Sequence, residues 1–232
     1  MSAGTDRPDG RHELRDRPVV KPVSGSRTVH HGMVWDVVRD TVDLGEAGPV
    51  DREYIAHPGA VGILALDDQE RVLFLRQYRH PVRMELWELP AGLLDVDGEP
   101  PLEAAKRELA EEADLRAERW DVLVDWFNSP GGMTEALRLY VARDLSPVPD
   151  DERHTRDGEE LGMPLLWATL DEARDAVLTG ALHNPGAMVG VLAAVAARDT
   201  GWSTLRPADA PWPEHPSQRP DGAFDGIGAD TD

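Results

Sequence analysis

At 232 residues the chain is long enough to bury one substantial hydrophobic core. Its 44 acidic residues against 24 basic give a formal net charge of −20, which argues against a general nucleic-acid binder, because neutralising phosphates takes a surplus of Lys and Arg, and equally against docking on an anionic membrane surface. The absence of cysteine excludes disulfides, Cys-ligated zinc and thiol nucleophiles. A small anionic substrate stays compatible with this charge if arginines or bound cations reverse the sign inside a cleft.

Residues 1–27 mix charges with Pro, Gly and Ser, and read as a disordered leader without the apolar stretch of a signal peptide. No segment approaches the ~18 consecutive apolar residues of a membrane span, so a cytoplasmic protein is expected. Val34 to Leu44 alternates imperfectly, as a strand or a hairpin does. Residues 60–67 and 71–78 are short apolar runs joined by Asp67-Asp68-Gln69-Glu70, which predicts a hairpin. Leu86 to Leu89 is a further extended piece, stopped by Pro90. From Pro101 to Ala113 the apolar residues Leu102, Ala105, Leu109 and Ala113 recur at helical spacing, and Pro101 suits a first turn that needs no amide donor. Strand-like runs follow at 119–127, 136–142 and 163–168, then helices at Leu170–Leu178 and Gly186–Ala197. From Ser203 onward, five prolines and a Gly/Asp-rich end predict a disordered tail over 203–232, with Trp202 and Trp212 able to tack part of it to the body. Strands on either side of a central helix, with helices at the end, predict an α+β sandwich around a mixed sheet, the main domain spanning 28–200.

The chemistry concentrates between Glu88 and Leu115. Glu108, Glu111 and Glu112 stand at i, i+3 and i+4, so their carboxylates share one helix face. A solvated acidic face explains three glutamates in a chain this acidic. A hard dication explains them better once the surrounding residues are counted, since Mg²⁺ takes one or two carboxylates, waters and substrate phosphate oxygens. Arg107 beside this face can orient a carboxylate through a bidentate pair.

Gly92, Glu99, Arg107, Glu108, Leu109, Glu111, Glu112 and Leu115 together resemble the Nudix box, in which a glycine loop leads into a helix carrying Arg-Glu-x-x-Glu-Glu. Two departures stand out. Six residues separate Gly92 from Glu99, one more than the pattern holds, and Asp114 replaces a glycine near the helix end. Asp tolerates the left-handed cap better than most residues. The run Trp87-Glu88-Leu89-Pro90-Ala91-Gly92 and Pro130, 16 residues after Asp114, resemble the ADP-ribose pyrophosphatase branch of the superfamily, although Pro-Gly-Gly is also an ordinary turn.

The resemblance implies a Nudix-type α/β/α sandwich with a loop-helix-loop catalytic motif. It implies Mg²⁺, with Mn²⁺ as substitute, held by Glu108, Glu112, Glu111 and the carbonyl of Ala91. A further glutamate from the loop 150–162, Glu160 or its neighbour Glu159, completes the metal site and activates water; Arg107 and Glu111 assist. Arg79 is implied to hold substrate phosphate, and Trp35, Arg52, Glu53 and Pro130 to contact the substrate, often across a homodimer interface formed by strands in 28–56. For Trp35 alone, core packing is the simpler reading. The expected reaction is hydrolysis of ADP-ribose to AMP and ribose 5-phosphate. A sugar nucleotide, coenzyme A, a dinucleoside polyphosphate or an oxidised nucleotide are alternative substrates, and a non-catalytic ADP-ribose-sensing module is the alternative class. Neither nucleic acid nor membrane is an expected partner. Scattered histidines, no Gly-x-Ser-x-Gly elbow and no Gly-Lys-Ser/Thr after Gly132 leave zinc peptidase, serine hydrolase and P-loop chemistry without support.

Overall fold

The centre of the molecule is a strand covered on both sides. β4 (Ala60–Ala65) is buried at all six positions, as befits a strand sandwiched between layers. The computed structural model describes residues 13–156 and 162–218. Within them β4 runs parallel to β9 (Ala136–Pro147) and antiparallel to the short β7 (Ala91–Leu93). β8 (Leu115–Phe127) and β11 (Arg206–Pro207) complete a five-stranded mixed sheet in the order β11-β8-β9-β4-β7. Successive strand residues point to opposite faces, and the core divides accordingly. Val61, Ile63, Tyr140 and Ala142 pack with Ala105 and Leu109 of α1 (Pro101–Ala113). Leu64, Leu139 and Val141 pack instead with Ala173 of α2 (Leu170–Leu178) and Val191 of α3 (Pro185–Asp199). The expected α/β/α sandwich results.

Each helix begins where its sequence allows. Pro101 opens α1 without a side-chain cap. Thr169 and Glu172 form a reciprocal capping box on α2, and Asn184 caps α3 before Pro185. α1 ends on Asp114 in the left-handed conformation, φ 53°, so this aspartate occupies the cap the glycine of the box otherwise fills.

The predicted hairpin of 60–67 with 71–78 is only a turn. Asp67 N–H donates to the Arg71 carbonyl at 3.0 Å, and one bridge joins Leu66 to Val72. Beyond it β5 (Arg71–Arg79) leaves β4 and sits between β6 (Met84–Glu88) and β10 (Leu165–Thr169) in a separate antiparallel sheet. Both runs are apolar on consecutive residues, so each satisfies two covered faces and neither specifies the other as its neighbour.

A third sheet holds β1 (Val23–His30), β2 (Asp36–Asp43) and β3 (Pro49–Ala56), antiparallel in that order. The boundary expected at residue 27 therefore moves: residues 23–27 belong to β1, and 13–22 are exposed without regular structure. Residues 1–12 of the expected leader lie outside the described residues, as do 219–232 of the expected tail.

From 203 to 218 the expected disordered tail is packed instead. Trp212 is 2% exposed, with the Arg138 guanidinium 4.7 Å above its ring. Arg138, itself buried, makes a bidentate pair with Asp125 (2.8 and 2.9 Å) and donates to the carbonyls of Ala210 (2.6 Å) and Pro211 (3.2 Å). Arg206 reaches the same Asp125 at 2.8 Å. A buried guanidinium is tolerable only when its donors are met, and the strap supplies two of the acceptors. Farther along, buried His215 lies with Nε2 3.1 Å from the Pro58 carbonyl. The neighbouring Gly59 has φ 92°, and a side chain there would collide with His215. Prolines remove the periodicity by which a sequence announces an element, yet irregular chain can still be fastened by a tryptophan and a buried arginine.

Replacing Trp212 by Ala is expected to cost about 3–5 kcal/mol, the usual range for a deleted aromatic core side chain. Urea unfolding measures it, and a change too small to resolve would refute an anchored strap. Burial holds the His215 imidazole below its ordinary value of 6.5. The neutral form is therefore the one that folding favours, and its contribution is complete above 6.5 and lost as pH falls below it. His57 is shifted the same way by burial, against the opposing field of Glu135. The stability lost between pH 7 and 5 should be smaller in His215→Gln than in the parent chain; equal losses would show that His215 takes no part.

Candidate active site

α1 lies on the face of the large sheet that carries Val61 and Ile63, so its acidic side reaches the edge strand β7. The Glu112 carboxylate accepts the Ala91 N–H at 2.9 Å. Glu108 presses against Gly92 so closely that any Cβ there would overlap its carboxylate. Gly92 is thus needed for close approach, and the two glutamates share one stretch of backbone. Arg107 supplies the compensating charge. Its guanidinium makes a bidentate pair with Glu99 (3.0 and 2.9 Å) and also reaches Glu108 at 2.6 Å and Glu111 at 3.3 Å. Pairing with Arg107 holds the Glu99 carboxyl below its usual range, and pairing with Glu99 raises the arginine in turn. The loop before α1, despite its extra residue, therefore closes back on the helix through Glu99.

Whether these groups suit a metal can be judged from the donors. Among the described residues no three His, Asp or Glu side chains are gathered closely enough to hold an ion alone. Two carboxylates brought to one backbone stretch, with substrate oxygens and water still to come, is nevertheless the donor set that Mg²⁺ takes, as opposed to a complete protein cage. The residues fit a hard divalent cation on that count.

A cleft of about 540 Å³ opens beside this face. Its lining includes Ala91, Gly92 and Glu112 together with Arg79, Glu88 and Trp35. Arg79 was expected to hold phosphate; it forms a bidentate pair with Glu88, Nε to Oε1 at 2.9 Å and Nη2 to Oε2 at 2.8 Å. Glu88 is 4% exposed, a buried carboxylate that the sequence reading gave no role. Its visible signal was a glutamate just before Leu89-Pro90 at the end of a short strand, facing an arginine only once β5 and β6 are in register. Trp35 is not core: it is 45% exposed and lies 5.8 Å from His57, ring centre to ring centre. His57 is within 3.7 Å of Glu135, which accepts from Asn128 at 2.8 Å, and all three line the cleft. None of the three was marked in the sequence, where single His, Asn and Glu positions without regular spacing carry no signal.

Arg52, Glu53 and Pro130 line a separate cavity of about 460 Å³, which shares Met133 with the cleft. Glu53 pairs with Arg39 across β2 and β3, and the Arg52 guanidinium donates to the Asp51 carbonyl at 3.0 Å. Pro130 starts the turn that closes with Gly132 N–H on the Ser129 carbonyl, and this turn docks on β3 through Ile55 N–H to the Gly132 carbonyl. The ordinary-turn reading of Pro130 therefore holds along with its place at a cavity. Glu159 and Glu160 lie outside the described residues.

Residues 56–186 match the NUDIX domain. The chain is 44% identical over 192 residues to an ADP-ribose pyrophosphatase of Mycobacterium tuberculosis, covering 83% of this chain and 91% of that protein. It is 32% identical over 145 residues to an ADP-ribose pyrophosphatase of Bacillus subtilis, with 62% and 76% covered. A crystal structure of an ADP compounds hydrolase shares the fold with a TM-score of 0.61 at 22% identity, covering 82% of this chain and 99% of that one. Domain match, relatives and box geometry agree: the chain belongs to the Nudix hydrolase family.

Proposed function

We propose that this Nudix hydrolase splits the diphosphate bond of ADP-ribose, giving AMP and ribose 5-phosphate, with Mg²⁺ as cofactor and Mn²⁺ able to replace it. The observation that carries the reading is the meeting of Glu108 and Glu112 with the Ala91–Gly92 backbone in the wall of a cleft that also holds Arg79 and Trp35. The substrate follows from the relatives named ADP-ribose pyrophosphatase.

The barrier is electrostatic, because water must approach a dianionic diphosphate and negative charge must depart. A dication held at the box carboxylates would supply charge neutralisation and Lewis acidity for this step. Glu108 and Glu112 would hold it together with the Ala91 carbonyl, while Arg107 keeps Glu108 and Glu111 oriented. Arg79, kept in place by Glu88, offers its cation to a phosphate. Glu160, with Glu159 as the alternative, would take the proton as the water oxygen bonds to phosphorus and the bridging P–O bond breaks. Trp35 presents an exposed aromatic face on which a base can stack.

Arg52, Glu53 and Pro130 stand apart from the cleft within one chain, and we assign them to the substrate's adenosine end in a cytoplasmic homodimer built on β1–β3. Supporting this, the segment leaves Val23, Val29, Met33 and Val34 exposed, an apolar surface of the kind that marks association. Among the described residues no helix is long and apolar enough to cross a membrane.

A substrate panel with Mg²⁺ tests the activity: ADP-ribose should be turned over faster than sugar nucleotides, coenzyme A and dinucleoside polyphosphates. Glu108→Gln, Glu112→Gln and Gly92→Ala should each lower kcat by about 10²-fold or more, the scale of losing charge stabilisation at the reacting centre, with circular dichroism unchanged. Near-normal turnover in all three would remove the metal site. Light scattering should return twice the chain mass of 25.5 kDa; a monomer at micromolar concentration would end the dimer assignment.

A further inference from the structure

The cap of α1 departs from what the helix end prefers. Asp114 is a non-glycine residue at φ 53°, a conformation that crowds its Cβ. It is also an anion at the negative end of the helix dipole, where cations belong, and the last turn of α1 contains no basic residue. Glycine would remove both penalties, so something must be gained from the carboxylate.

The gain is visible on the loop side. Arg156 places Nη2 2.7 Å from the Asp114 carboxylate and donates from Nε to the Glu111 carbonyl at 2.9 Å. That carbonyl is among those a helix end leaves without an internal partner. Arg153 adds a weaker contact with Asp114 at 4.0 Å and donates to the Val148 carbonyl at 3.3 Å. The Val148 N–H in turn donates to the Asp114 carbonyl at 2.8 Å. One guanidinium thus grips the backbone of one box glutamate and the residue two places after another, Glu112. In sequence Arg156 stands three residues before Glu159, at most about 11 Å of chain.

We propose that Asp114 and Arg156 are a positioning pair for catalysis: they tie the last turn of α1, which carries Glu111 and Glu112, to the segment 148–156. The pair touches no substrate. It replaces the glycine cap by a tether, exchanging local comfort at the helix end for a fixed relation between the acid helix and the chain that leads into residues 157–161. Glu112 must keep its bond to the Ala91 N–H for the metal donors to stay together, and a frayed last turn releases it. This inference rests on the hydrolase reading above.

The test compares wild type, Asp114→Gly, Arg156→Ala and Arg156→Lys by kcat, KM for ADP-ribose, the Mg²⁺ concentration for half-activation, and Tm. Arg156→Ala should lower kcat about tenfold, equivalent to about 1.4 kcal/mol, and raise the Mg²⁺ midpoint severalfold with KM changed less than about twofold. Arg156→Lys, which can meet one acceptor but not both in the same geometry, should recover part of the loss. The decisive variant is Asp114→Gly: it relieves the backbone and removes the misplaced anion, so Tm should hold or rise, yet kcat should fall about threefold or more. Wild-type kcat and Mg²⁺ midpoint in Asp114→Gly overturn the proposal, as does an Arg156→Ala whose sole change is a lower Tm. A wild-type protein that hydrolyses no nucleoside diphosphate sinks the functional reading instead. The pair is then decided by Mn²⁺ binding in electron paramagnetic resonance, where weaker binding by Asp114→Gly supports it and unchanged binding overturns it.

Discussion

The close approach of Glu108 to Gly92 is the contact on which the site depends. α1 can bring two carboxylates to one strip of backbone only because β7 has no side chain where Glu108 arrives and offers an N–H where Glu112 arrives. The apolar side of the same helix fixes the distance, with Ala104, Ala105 and Leu109 fully buried. Two alanines at the contact let the helix come close to the sheet, and Leu109 and Val122 are buried in the same cluster. Packing thus determines the separation, and the acidic face inherits it.

Like charges at i, i+3 and i+4 oppose a helix, and the structure answers with arginines on both ends of the acidic stretch. Arg107 faces Glu99, Glu108 and Glu111 from within the helix, while Arg156 meets the carbonyl of Glu111 and the carboxylate of Asp114 from outside it. The chain is strongly acidic overall, but its chemistry lies among locally paired charges. A net charge of −20 therefore says little about the local potential in the cleft, where Arg79 also stands.

The sequence disclosed α1 to the residue because amphipathic period, an opening proline and box spacing all agree there. It disclosed the sandwich as well, since strands on either side of a central helix, with helices at the end, supply a cover for both faces of β4 and β9. It could not disclose that β4 and β5 part after Asp67. Pairing is a choice among partners distant in the chain, and two runs of apolar residues satisfy many of them. Glu88 was hidden for a related reason: its meaning as partner of Arg79 exists only in the register of β5 with β6. Residue type alone reads Trp35 as core, whereas it is exposed and lines the cleft.

The C-terminal strap shows where pattern reading fails most completely, and why. Its prolines leave it little regular structure beyond the two residues of β11, so composition reads it as unfolded chain. What fastens it is borrowed from residues more than sixty positions away: Arg138 gives its donors to Ala210 and Pro211, and Asp125 binds both Arg138 and Arg206. In return the strap covers Arg138, whose burial without those acceptors would be costly. His215 carries the same dependence to Pro58, beside the His57 that lines the cleft. A segment that looks detachable is therefore packed beside the cleft, and through Glu214 and Pro216 it lines the neighbouring cavity that holds Arg52, Glu53 and Pro130.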